Sequence, residues 1–172
     1  MRDGGCGVER QDIMAPLRQQ VLDWIKEDEQ KLIDFYQDMV KAKSPNPPGD
    51  TREVMRLVSD FLDEEGLAFD EITAKEHLPN LVATFDGGTD GKHLVLNGHV
   101  DVFPVGNEQA WDRDPWSGDI EDGVIHGRGA ADMKGGTTAA IFTYRYLHRL
   151  RDKLAGKLSL MVVAFGMLIM VN

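Results

Sequence analysis

Leu94-Val95-Leu96-Asn97-Gly98-His99-Val100-Asp101 is the stretch that decides the fold class of this 172-residue chain. Its apolar run 94–96 is short and continuous, the pattern of a strand buried on both faces. The run stops at Asn97-Gly98, and a histidine and an aspartate follow two positions apart. In open α/β sheets, ligands gather beyond the carboxyl ends of the strands. In extended backbone, residues i and i+2 point to the same side. His99 and Asp101 are therefore expected to face one site at a strand end. Imidazole is a common zinc ligand, and a metal-bound histidine usually gives its other N–H to a partner behind it. Asp101 is suited to be that partner or a nearby electrostatic support. A histidine at a strand end also has a purely structural use, and this stretch alone leaves both readings open.

Upstream, Val21, Trp24, Ile25, Leu32, Phe35, Tyr36, Met39 and Val40 recur at three- and four-residue spacing from Pro16 on. That is the mark of an amphipathic helix, read with a break near Asp23. It ends before Ser44-Pro45-Asn46-Pro47-Pro48-Gly49, where prolines lack amide donors and restrict the residues before them. A second helix follows, with Asp50 as cap, Val54, Leu57, Val58, Phe61 and Leu62 on its apolar face, and Gly66 as its stop. Residues 68–73 read as a weak strand and 81–85 as a better one, ending at the turn Asp86-Gly87-Gly88. Beyond Asp101 come a loop with Trp111 and Trp116, a short strand near 124–126, a helix from 135 to about 151, and a buried strand over 158–164. The sum is a layered α/β domain with a mostly parallel or mixed sheet flanked by helices. Residues 1–15 carry no such pattern and read as a flexible tail.

A second cluster, Gly127-Arg128-Gly129-Ala130-Ala131-Asp132-Met133-Lys134-Gly135-Gly136, precedes the helix that starts at 135. Glycines permit backbone torsions barred to other residues and let chains approach closely. A carboxylate just before a helix can cap its free amides, or its two oxygens can bind two cations. The spacing does not choose between these roles for Asp132. Neither the Walker spacing nor the dinucleotide fingerprint is present, which argues against nucleotide binding.

Composition narrows the class further. With 42% hydrophobic and 28% charged residues, the chain can build one domain core. A formal net charge of −10 argues against nucleic acid and anionic membrane as partners. The single cysteine, Cys6, excludes a disulfide framework and a cysteine-based zinc site. Met1 to Gln20 is polar and lacks the apolar core of a signal peptide, so a cytoplasmic protein is expected. The uncharged run 158–171 is 14 residues long, short of the roughly 20 that a membrane-spanning helix needs.

Taken together, NGHVDVFPVG (97–106) and WDRDPWSGDIEDGVIHGRGAADMKGG (111–136), with SPNPPGD (44–50) upstream, resemble the zinc metallopeptidase family of acetylornithine deacetylase, succinyl-diaminopimelate desuccinylase, aminoacylase and glutamate carboxypeptidase. The resemblance spans about residues 20–164. It implies that His99 is a ligand to one zinc, that Asp132 bridges two zincs, and that Asp101 supports His99 and the catalytic carboxylate without binding metal. Two zinc ions are implied per site, with cobalt or manganese as substitutes. The reaction implied is hydrolysis of amide bonds in N-acyl amino acids or small peptides, with a metal-bound water attacking and a glutamate moving the proton.

The resemblance also implies an acidic pair after the strand 158–164, one member the general base and the other a ligand. Instead Phe165-Gly166-Met167-Leu168-Ile169-Met170-Val171-Asn172 follows, and no acidic residue occurs after Asp152. Residues 16–164 are thus read as the N-terminal part of a catalytic domain. Residues 165–172 are read as an aberrant apolar tail, with the family's lid and dimerisation domain absent. The expectations for this polypeptide are weak zinc binding, no activity alone, and self-association through an incomplete sheet edge. The alternative is a non-catalytic remnant acting as an interaction protein.

Overall fold

A computed structural model describes residues 6–165, with side chains from residue 15 onward. Three helices come first: α1 (Cys6–Glu27), α2 (Glu29–Lys41) and α3 (Arg52–Glu64). Strands β1 (Asp70–Thr73), β2 (Pro79–Asp86) and β3 (Thr89–His99) follow. A small hairpin of β4 (Ile120–Glu121) and β5 (Val124–Ile125) precedes α4 (Gly135–Arg149) and β6 (Ala155–Val163). The main sheet has the order β1-β2-β6-β3, with β6 antiparallel to β2 and parallel to β3. It is a mixed sheet in a layered α/β domain, as the sequence pattern implies.

Period-two alternation in β2 and β6 sends Leu81, Ala83, Phe85, Leu158, Leu160 and Val162 to one face, all buried. There they join the apolar stripes of α3 and α4 in a single core. Phe142 of α4 sits at its centre, with ring centroids 5.0 Å from Phe61, 5.8 Å from Phe35 and 6.2 Å from Tyr146. Arg145, one turn further along α4 and nearly buried, pairs with Asp28 and Glu65 and so ties the helices together at one end. Gly66 ends α3 in the left-handed region, and Leu67 N donates to the Leu62 carbonyl, as a glycine stop requires.

Four readings change. The backbone is helical from Cys6 on, so most of the stretch read as a flexible tail continues α1; Pro16 lies inside that helix. The polar residues 9–11 are adequate helix formers, and polarity hid them from a search for apolar periodicity. Residues 1–5 lie outside the described residues. The break between the first two helices falls at Asp28, not Asp23. The residue before α3 is Thr51, while Asp50 accepts from the Arg52 amide at 3.1 Å. Finally, Leu94 and Val95 are 55% and 45% exposed, because β3 is an edge strand of the sheet rather than a central one. Of the apolar tail, Phe165 packs against the core, and 166–172 lie outside the described residues.

Candidate metal centre

His99 is the last residue of β3, where the strand stops beside the start of α4. The approach is close because residue 98 is glycine: a Cβ there would lie 2.5 Å from Thr137 Oγ1. That hydroxyl instead donates to the His99 carbonyl at 2.9 Å. On the other side, residues 44–46 run parallel to 100–102. Ser44 Oγ donates to the Val100 carbonyl (2.6 Å), Val102 N to the Ser44 carbonyl (3.0 Å) and Asn46 N to the Val102 carbonyl (2.8 Å). The strand end is thus gripped on two sides by hydrogen bonds, two of them from buried hydroxyls.

The structure brings His99 and Asp101 side by side at one cleft. His99 Nδ1 lies 3.0 Å from Asp101 Oδ1 and 3.1 Å from the Asp101 carbonyl. The other carboxylate oxygen of Asp101 accepts from Asn46 Nδ2 at 2.9 Å. When the ring is neutral, two oxygen acceptors at Nδ1 favour the proton on that nitrogen and leave Nε2 its lone pair; a protonated ring would donate from both. Nε2 points at Asp132 Oδ1, 3.4 Å away.

Asp132 reaches that position through a distorted turn. Residues 130–134 form one wide helical turn, but Asp132 itself is extended (φ −126°, ψ 98°). Gly129 enters the turn at φ 80°, and a Cβ there would lie 2.1 Å from Val102 Cγ1, so the position needs glycine on both torsional and steric grounds. Tyr36 donates its hydroxyl to the Ala130 carbonyl at 2.9 Å. Lys134 is fully buried and donates Nζ to the Ala42 carbonyl at 2.6 Å. Burial lowers its ammonium to about 7, with Glu53 opposing weakly. The helix-capping role open to Asp132 is not the one it takes: α4 starts without a side-chain cap bond, and the Asp132 side chain is 78% exposed.

The donor set fits a divalent cation. With the ring neutral and its proton on Nδ1, the Nε2 lone pair and the Asp132 oxygen 3.4 Å away are two acceptors that a divalent cation would satisfy together. A tetrahedral zinc with bonds of about 2.1 Å separates two ligand atoms by about 3.4 Å. The site is one-sided, however. Among the described residues no group of three or more histidine, cysteine, aspartate or glutamate side chains converges on a point. His99, Asp101 and Asp132 line an open cleft of about 580 Å³, whose remaining wall includes Asn46, Phe103 and Phe165. The other histidines lie elsewhere: His93 bonds Ser159 at 2.8 Å, and His148 packs against Phe85 and Tyr144. Trp111 donates to the Val105 carbonyl and underlies Arg128, a structural use of the loop between the motifs.

Two residues with a hand in the site escape a reading of the sequence. Asn46 sits between prolines, and only its contact with Asp101 reveals its use. Lys134 looks like an exposed cation, and nothing in the local pattern shows that its amine turns inward.

A mixed α/β domain thus brings a histidine–aspartate pair and a second aspartate to one strand-end cleft. Residues 95–164 match the family described as Peptidase family M20/M25/M40, and the chain belongs to that family. It is 31% identical over 143 residues to N-formyl-4-amino-5-aminomethyl-2-methylpyrimidine deformylase of Halalkalibacterium halodurans, covering 81% of this chain and 34% of the relative. It is 40% identical over 105 residues to succinyl-diaminopimelate desuccinylase of Xanthobacter autotrophicus, covering 59% of this chain and 27% of the relative. A family M20 metallo-carboxypeptidase from Sulfolobus solfataricus superposes with a TM-score of 0.63 at 25% identity, over 80% of this chain and 30% of that one. The chain spans about a third of the length of the first relative and less of the second. Among the described residues no helix is long and apolar enough to cross a membrane.

Proposed function

We propose that this chain carries one side of a two-metal amidohydrolase centre that cleaves amide bonds in N-acyl amino acids or small peptides. The observation that carries the reading is the 3.4 Å approach of His99 Nε2 to Asp132 Oδ1, with Asp101 behind the imidazole. In this reading His99, through Nε2, and Asp132, through its carboxylate, would hold the metals. Asp101 holds the proton on Nδ1 and so keeps Nε2 available. When bound, the metals supply Lewis acidity toward the scissile carbonyl and a nucleophilic water. The chain's own residues orient: Asn46 holds Asp101, Thr137 fixes the His99 backbone, and the cleft beside Phe103 and Phe165 receives the substrate. Support comes from relatives named as a deformylase and a desuccinylase, both of which release an acyl group from nitrogen.

Catalytic zinc commonly takes three protein ligands and a water. Among the described residues, one histidine and one shared carboxylate fall short of that for two metals, so these residues by themselves are expected to bind zinc weakly. The test is a chimera in which the aligned residues of this chain replace their counterpart in the Xanthobacter desuccinylase. Metal-dependent release of succinate is expected, falling at least about a thousandfold with His99→Ala or Asp132→Ala. A folded, active chimera indifferent to both substitutions would falsify the assignment. A second reading, a non-catalytic interaction protein, draws on the exposed Leu94 and Val95 at the β3 edge.

A further inference from the structure

We infer that Asn46 is a positioning residue of this centre: its side-chain amide sets the carboxylate of Asp101 and through it the tautomer of His99. The inference rests on the proposed function only for what the histidine is used for; the hydrogen-bond relay is a property of the fold.

Asp101 has two oxygens with different neighbours. Oδ1 faces His99 Nδ1 at 3.0 Å and Oδ2 accepts from Asn46 Nδ2 at 2.9 Å. A carboxylate beside a single imidazole rotates about its last torsion, a broad two-fold well. A second donor on the far oxygen restricts that rotation and leaves Oδ1 in the plane where Nδ1–H meets it. Asn46 is itself held at both ends. Its backbone N–H donates to the Val102 carbonyl at 2.8 Å, and a Cβ on Gly49 would lie 2.9 Å from Asn46 Oδ1, so the amide oxygen is packed against the turn that follows. Its orientation follows from chemistry, because only the NH₂ end can donate to a carboxylate.

The support continues behind it. Ser44, two residues earlier, is fully buried and donates to the Val100 carbonyl. Lys134 donates to the Ala42 carbonyl, two residues earlier again. Residues 42–46 therefore form a strap that touches both halves of the centre: Asn46 at the His99–Asp101 pair, and Lys134 from the turn that bears Asp132. The Asn46 side chain meets a side chain of the site directly, so its loss is expected to change the site's chemistry before its fold.

The experiment is nitrogen-15 NMR of the metal-free chain at pH 8, with the His99 ring signals identified by their loss in His99→Gln. The wild-type ring is expected in the Nδ1–H tautomer. Asn46→Leu, close in shape but without a donor, is expected to give a mixture of tautomers while the amide spectrum elsewhere stays folded. Asn46→Ala does the same should Leu disrupt packing. Asn46→Gln restores a donor on a longer arm and is expected to recover part of the Nδ1–H population. Zinc added to each sample is expected to shift the His99 ring signals with an apparent affinity about 10- to 100-fold weaker in Asn46→Leu than in wild type, the usual effect of losing support behind a ligand. An unchanged tautomer in folded Asn46→Leu and Asn46→Ala overturns the inference. Zinc that leaves the wild-type ring signals unmoved counts against the metal reading alone, and the tautomer comparison then decides the role of Asn46 by itself.

Discussion

The two ends of the same sheet are held by different physics. Along its length, β2 and β6 meet α3 and α4 through Leu81, Phe85, Leu160, Phe61 and Phe142, apolar side chains in one close-packed cluster. At the carboxyl end of β3, the contacts that matter are hydrogen bonds from Ser44, Asn46, Thr137 and Lys134, aimed at backbone carbonyls and one carboxylate. A packed core tolerates hydrophobic exchange at constant volume but fixes no single polar orientation. Directional bonds fix orientation and contribute little net stability, about 1 kcal/mol each. The protein therefore keeps the positions of His99 and Asp132 under polar control while leaving stability to the apolar half.

The largest effect is expected in the apolar half. Phe142 is 1% exposed and contacts three other rings. Phe142→Ala should cost about 3–5 kcal/mol by lost transfer energy and an unfilled cavity, read as a lower midpoint in urea unfolding. A cost under about 1 kcal/mol would mean that the core does not bear the stability assigned to it.

This contrast also explains what the sequence could and could not show. The helix faces were legible because burying apolar stripes writes a period into the chain: Val54, Val58, Phe61 and Leu62 are all buried as their spacing implies. His99 and Asp101 were legible because strand geometry alone sends i and i+2 to one side. The edge position of β3 was not. Leu94 and Val95 look the same in an edge strand as in a central one, and strand order is set by long-range pairing. Asn46 and Lys134 were illegible for a related reason: their partners, Asp101 and the Ala42 carbonyl, lie 55 and 92 residues away. The role of Asp132 was undecided because capping and cation binding ask for the same residue before a helix. In the structure Asp132 is extended and α4 starts without a side-chain cap bond, so the capping use is the one that drops out.

A smaller effect is expected at the polar grip, and it carries a sign. Burial holds the Lys134 ammonium near 7 in the folded chain, against an ordinary value of 10.5 when unfolded. Below pH 7 both states are protonated, and the folded state bears the whole cost of a buried charge. As pH rises above 7 the folded chain releases the proton while the unfolded chain keeps it, so the unfolded state binds more protons and stability increases. Between pH 7 and 9 the wild type should gain about 2–3 kcal/mol relative to Lys134→Met, at roughly 1.4 kcal/mol per pH unit. Urea unfolding of both proteins across that range tests it. A constant difference between them would show that the amine finds water or a counter-charge when folded.

The smallest expected effect on stability falls on the residue assigned the largest role in function. Asp132 is 78% exposed, caps no helix and, among the described residues, meets His99 Nε2 across 3.4 Å. Nothing in the fold depends on its carboxylate, so Asp132→Ala should leave unfolding within about 0.5 kcal/mol of wild type. The same substitution should abolish the zinc-induced shift of the His99 ring, because it removes the only carboxylate that the described residues bring to Nε2. If Asp132→Ala instead unfolded the chain readily and left the zinc response intact, the aspartate would belong to the structural half of the comparison, and His99 would have to find its metal by another route.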